Sequence, residues 1–494
     1  MVLISSTSSV RTIARRPRRC ILVLEKKSTQ VMLPINSYTS LQKSVLVMVL
    51  LNALSVPIML SSVNVALPHI AADLELSALS VSWIPTAFLM ASAMFILVFG
   101  RLADMFGRKK IFLIGAVSVV FASILASLAT GAVSLIGARF LQGVGAAMLY
   151  ATQMAIVSSV FPLATRGRVI GLVISFIYIG LASGPLFGGI IVGQLGWRIN
   201  FLLQIPLAIL VFCIGFYKVE GDWAADERGV FDFTGALIYC LAIFIICIGA
   251  SFLPSSIGYV LMVAGLIGVG IFFRQARSSN HPLLDVKLFF TNRTFTFSAL
   301  ASLIMYSATF MNVVLLSLYL QYLKGLSPSA AGLIMMIQPL TMAVFSPLMG
   351  KLSDSIEPRI LSSAGMFVTA MGLVLLGMLN SNSQTSNIAI ALVVTGLGFS
   401  LFSSPNVNAI MSSVSRKHLG AAAAAVSTTR ILGQLFSMVL ITLIMALTFG
   451  ATQIEPANYF ELEKTIRFSF YLAAGLCVPG LFLSAVRGTI HSRQ

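Results

Sequence analysis

The sequence predicts an all-α integral membrane protein, and three observations carry that expectation. Of 494 residues, 58% are hydrophobic and only 10% charged, a balance that excludes a string of soluble domains. Apolar runs of roughly 18–25 residues recur through the chain, each long enough to cross about 30 Å of hydrocarbon as a helix. The third observation is the placement of positive charge relative to those runs.

In order, the expected spans cover 44–66, 81–100, 110–130, 132–154, 168–193, 198–217, 233–252, 256–273, 294–320, 329–350, 360–379, 386–410, 420–448 and 466–486. The net charge is +17, from 32 Lys and Arg against 15 Asp and Glu. With the N-terminus placed inside, about 26 of the 32 basic residues fall in inner segments, including Arg101, Arg108, Lys109, Lys110, Lys351, Arg359 and Arg487. Outer segments hold Arg198, Lys324, Lys464 and Arg467, while Arg139 and Arg430 fall within spans. This is the positive-inside pattern, which puts both termini in the cytoplasm of a cell whose plasma membrane the chain crosses many times. It accounts for the charge without nucleic acid as a partner.

Residues 1–43 form a basic cytoplasmic tail, or the chain starts at Met32; "RTIARRPRRC" followed by the short run "CILVL" lacks the length of a signal-peptide core, and a transit peptide is the third reading. The five cysteines show no metal spacing and read as small apolar residues. No Ser/His/Asp, His-pair or carboxylate-pair constellation lies within the spans, so no enzyme, cofactor or metal is expected.

The loop "GRLADMFGRKK" at 100–110 returns 250 residues later as "GKLSDSIEPRI" at 350–360, sharing Gly, a basic residue, Leu, a small residue and Asp. Such a repeat implies two related bundles. The copies follow spans 2 and 10, so two six-helix halves, 44–218 and 294–487, leave spans 7 and 8 within 219–293 as an insertion and 488–494 as a short tail.

The first loop resembles the signature of the major facilitator superfamily. Three further blocks, "VNVALPHIAADL" at 63–74, "ARFLQGVGAAML" at 138–149 and "GPLFGGIIVGQLGWRINFLLQIP" at 184–206, are similar to those of its fourteen-span drug:proton antiporters of the EmrB/QacA type. The resemblance implies a major facilitator fold and a secondary transporter that exports small amphipathic or cationic organic compounds, multidrug-efflux fashion, in exchange for protons. Its expected partners are the lipid bilayer, a small-molecule substrate and protons, with the protein a monomer to which accessory export partners can attach. A facilitator or differently coupled carrier of one metabolite or lipid, and a non-transporting sensor or scaffold, remain as alternatives.

Individual residues sharpen the expectation. Asp104 and Arg108 suit a conformational latch, because the acid can pair with a basic residue or accept from a helix N-terminus. Gly180, Gly184 and Gly188 fall four apart on one helix face and permit close approach to another helix, while Pro185 bends the span. Arg139, inside span 4, must face a cavity or partners, with Gln142 one turn away; the resemblance links it to proton coupling. Arg430, within span 13, is assigned either to the cavity or to bonds with carbonyls and Gln434. Further cavity candidates are Asn52, Asn64, Phe88, Gln153, Tyr178, Tyr306, Phe310, Asn312, Gln338 and Asn406, whose amide and aromatic groups suit an amphipathic guest. Asp232 reads as a helix-start acid. All fifteen acids fall in loops or near span ends, and Met59 stands where relatives of this type place an acid.

Overall fold

A computed structural model describes residues 38–224, 230–279, 282–284, 286–414, 419–450 and 452–489. The expected N-terminal tail and its alternative start at Met32 lie almost wholly outside the described residues, as does most of 488–494. Regular structure among the described residues is helical throughout. Fourteen helices are long and apolar enough to span a membrane: α1 Ser40–Asp73, α2 Ala78–Phe106, α3 Arg108–Ser127, α4 Ala132–Val160, α5 Thr165–Leu195, α6 Trp197–Tyr217, α7 Phe233–Ser251, α8 Ser256–Ser278, α9 Arg293–Leu323, α10 Pro328–Leu352, α11 Pro358–Gly377, α12 Thr385–Ser412, α13 Ala422–Thr448 and α14 Pro456–Val486.

The helices outlast the apolar runs that predict them. Hydrocarbon offers no water to a free backbone group, so continuing the helix is the cheapest way to satisfy it. Helix α1 passes straight through Pro57 and Pro68. The missing N–H of Pro68 frees the carbonyl four residues earlier, and that carbonyl, on Asn64, accepts the Ser317 hydroxyl of α9 at 2.6 Å. Proline thus ties α1 to another helix instead of ending it. The regular helix is interrupted at Leu203 in α6, ahead of Pro206, and at Met336 in α10, ahead of Pro339.

Helices α1–α6 pack among themselves, with α1 on α5 and α2 and α3 on α4; α9–α14 repeat the pattern, with α9 on α13 and α10 and α11 on α12. The two bundles meet where the second helix of each lies on the fifth of the other, α2 on α13 and α10 on α5, while α1 touches α9. This pairing is the internal repeat made visible. The inserted helix α7, capped by Asp232 through Gly235 N at 2.8 Å, lies against both α2 and α13. Tyr239 holds it there by donating to Ala93 O at 2.8 Å. Helix α8 stacks on α7 and presents Val260, Val263, Leu266 and Ile267 outward, as a lipid-facing helix should. Four cysteines, Cys213, Cys240, Cys247 and Cys477, are free thiols.

Alternation of the helices puts the 100–110 and 350–360 loops at one end of the bundle, here the basic end. The α1–α2 and α13–α14 connections lie at the far end.

Candidate functional site

Arg139 is wholly buried inside the first bundle. Its guanidinium donates to Gln142 Oε1 at 2.7 Å and to Ile84 O at 3.2 Å, and lies 4.5 Å over the Phe88 ring. Gln142 passes the chain on to Ser123 Oγ at 2.8 Å, so one cation links α2, α3 and α4. Nη2 has no partner, and no carboxylate among the described residues pairs with this guanidinium. Three sequence candidates, Arg139, Gln142 and Phe88, therefore form one cluster, and Phe88 faces the cation.

A cavity of about 80 Å³ lies at the junction of the bundles, lined from α1, α5, α9, α10, α12 and α13. Four candidates, Tyr306, Phe310, Asn312 and Gln338, line it, and Pro185 joins them. Ser61 also lines it, and sequence reasoning missed Phe399 and Gln434 on its wall. Phe399 is its aromatic hinge, meeting Tyr306 edge-on at 5.4 Å and Tyr178 at 6.4 Å. Tyr178 also bridges the bundles by a 2.8 Å hydrogen bond with Ser403. Asn312 donates to Gln338 at 3.4 Å while its own buried Oδ1 stays unpartnered. No lining residue is charged.

Toward the far end the bundles are joined. Ser82 and Thr86 of α2 share Thr442 of α13 at 3.2 and 3.3 Å, Gln321 donates to Val65 O at 2.9 Å, and Ser329 to Gly189 O at 3.1 Å. The glycine block explains how closely α5 is held. A Cβ at Gly180 would stand 2.6 Å from Leu54 O, at Gly188 2.8 Å from Ser62 O, and at Gly184 would collide with Ser61 Oγ, all on α1. Gly189 and Gly332 make equally close contact across the bundles, with Pro328 O and Pro185 O.

At the basic end the walls part around a larger cavity of about 350 Å³, between α2, α4 and α13. Asp104 and Arg108 sit on its wall, joined at 2.8 Å, and Arg108 extends to Ser159 Oγ at 2.7 Å. Facing them are Ala423, Ala424, Ser427 and Thr428 of α13. The neighbouring turn is closed by a residue that sequence reasoning missed: Asp222 accepts from the backbone of Lys109 at 2.9 Å. That acid caps the α3 N-terminus, where four orphan N–H groups call for one. In the second copy of the loop, Pro358 stands where Arg108 does in the first, and Asp354 is exposed.

The remaining candidates make contacts within or between helices. Asn52 donates to Gln153 at 2.6 Å, linking α1 to α4. Asn64 turns back on Leu60 O at 2.9 Å. Arg430 lies 5.4 Å over the Tyr150 ring, bringing α13 to α4. Asn406 accepts from Arg487 at 2.6 Å, and Arg487 also reaches Ser298 and Ser362 at 3.3 and 3.1 Å. This buried hub at the end of α14 looks in sequence like any inner flanking cation. Burial pushes its guanidinium down to about 10, while the Glu357 carboxylate pulls upward. Asn406→Leu removes a charge-assisted bond and will cost about 1.5–3 kcal/mol, read as a lower thermal-unfolding midpoint in detergent; an unchanged midpoint would show that the hub holds nothing together.

Comparison with known proteins agrees with this geometry. The pattern of the Major Facilitator Superfamily matches residues 49–272 and 298–491. The chain is 29% identical to the riboflavin transporter RibZ of Clostridioides difficile, over 86% of this chain and 92% of that protein. It is 32% identical to the uncharacterized transporter YebQ of Escherichia coli, over 77% and 84%. It is 29% identical to the multidrug resistance protein Stp of Mycobacterium tuberculosis, over 82% and 75%. With paired bundles, fourteen helices among the described residues long and apolar enough to span a membrane, and this match across most of its length, the chain belongs to the major facilitator superfamily and is a membrane transporter rather than an enzyme.

Proposed function

We propose that this transporter exports small amphipathic organic compounds by alternating access, in exchange for protons, with its basic end and both termini in the cytoplasm of a cell bounded by that membrane. The observation that carries the reading is the pair of cavities between the bundles, one central and one at the basic end. The central one, about 80 Å³, is too small for the roughly 300–1,000 Å³ that organic ligands occupy, and hydrogen bonds between the bundles close its far side. The basic-end cavity, about 350 Å³, reaches that range. A guest entering there can proceed only if the bundles rock, widening the centre and opening the far end. The name of Stp supports efflux, and that of RibZ supports an aromatic organic cargo. An amphipathic cargo suits the centre better than a cation, which would find no carboxylate there.

One observation favours a second reading, transport that is facilitated or coupled otherwise. Met59 is 1% exposed and cannot titrate, and Arg139 has no acid partner. The test is uphill dye efflux from a pump-deficient host expressing the chain. Under exchange with protons, a protonophore stops net extrusion against the gradient; extrusion that continues unchanged would overturn proton coupling and leave the second reading.

A further inference from the structure

Among the described residues, Arg101 and Arg430 have no carboxylate partner. Arg101 lines the basic-end cavity and its Nε is buried without a hydrogen bond. Among the described residues the acid in that lining is Asp104, engaged by Arg108 through both Nε and Nη2, at 3.0 and 2.8 Å. Arg430 stands on α13 between Thr428, which lines the basic-end cavity, and Gln434, which lines the central one. Its guanidinium lies over the Tyr150 ring, itself part of the basic-end wall. Thr428 is 5% exposed, and its hydroxyl oxygen has no partner. Ser158 and Ser427 add hydroxyls to the same walls. Among the described residues, donors and positive charge thus accumulate where a guest enters, and the acid present, Asp104, is already engaged by Arg108.

We propose that the cargo is an organic anion, an aromatic body bearing a carboxylate, sulfonate or phosphate, whose charge is met first by Arg101 and then by Arg430. The inference rests on the transport reading and narrows its substrate class. An unpaired guanidinium in a low-dielectric wall attracts an anion and repels a cation by the same Coulomb term. Neutral hydroxyls such as those of Thr428 and Ser427 stabilise an anion by donating to it. The aromatic body then has Tyr306, Phe310 and Phe399 to lie against in the centre. On this view the guest supplies the countercharge that the helices omit, so an all-neutral central cavity and a positive approach belong to one design.

The test uses the full chain in phosphatidylcholine nanodiscs and three probes with one ring system: 2-naphthoate, 2-naphthylmethanol and 2-naphthylmethyl-trimethylammonium. Binding is read by displacement of the thermal-unfolding midpoint with probe concentration. Naphthoate is expected to bind at least about tenfold tighter than the alcohol, a gap of about 1.4 kcal/mol, and the ammonium probe weakest. Arg101→Gln should remove most of that preference while leaving alcohol binding within about twofold, and Arg430→Lys should retain it. An ammonium probe that binds best, or a naphthoate preference unchanged by Arg101→Gln, would overturn the anion inference and leave organic transport standing. If none of the three binds, both readings fall. Adding phosphatidylglycerol to the discs separates a soluble anion from a lipid headgroup: the preference persists if the site takes the soluble anion, whereas its loss assigns the site to the headgroup and overturns the proposal.

Discussion

Replacing Arg139 with methionine will cut transport at least about tenfold while leaving folding stability within about 1–2 kcal/mol of the parent. The two effects separate because they rest on different terms. A charged side chain inside the bilayer costs about 2.5–3.5 kcal/mol even by the lower scale, and methionine refunds that while filling a similar length of space. Against the gain stands Gln142, whose Oε1 loses its 2.7 Å donor; an unsatisfied buried acceptor costs about 1–3 kcal/mol. The terms nearly cancel in stability. They do not cancel in function if the guanidinium favours one conformation, because losing about 1.4 kcal/mol of that bias changes the ratio of states tenfold. Vesicle transport rates and detergent melting curves on the same preparation check both halves. A variant that melts like the parent and transports like it would reduce Arg139 to packing.

How much of this was legible in the sequence depends on whether an interaction is local or distant. The spans were legible because bilayer thickness sets their length, and Arg139 with Gln142 was legible because three residues along a helix is one turn. Four cavity residues were found because amides, and aromatics near them, stand out against the aliphatic residues of a span. The pairing of Asn52 with Gln153 was not, since they lie 101 residues apart, and neither was the hub at Arg487, whose partners come from three other helices. Helix α1 runs beyond the expected span 44–66, from Ser40 through Pro68 to Asp73. The Ser317 hydroxyl, 253 residues away, takes up the carbonyl that the proline frees. The neutral polar residues Ser61, Ser62 and Asn64 likewise gain their meaning from the fold: Ser61 and Ser62 back onto the α5 glycines, and the Asn64 carbonyl receives α9.

Gly332→Ala will hold the far end open and lower transport about tenfold, although the substitution adds a single methyl group. That methyl would collide with the backbone oxygen of Pro185 on the opposite bundle. A carbonyl fixed in a helix cannot rotate away, so α5 and α10 must separate, which is the movement that opening the far end requires. The closed state therefore bears an overpacking penalty of about 1–3 kcal/mol that the open state escapes, and the equilibrium shifts accordingly. A cysteine at Phe310, on the wall of the central cavity, should then react faster with a membrane-impermeant maleimide applied from the far side than in a Phe310→Cys control. Gly184→Ala provides the contrast. Its methyl meets Ser61 Oγ within one bundle, a contact that Ser61→Ala relieves, so it should disturb packing without changing the side from which the cavity is reached. Equal far-side labelling in the Gly332 and Gly184 variants would show that the α5–α10 contact packs the bundles together without gating them.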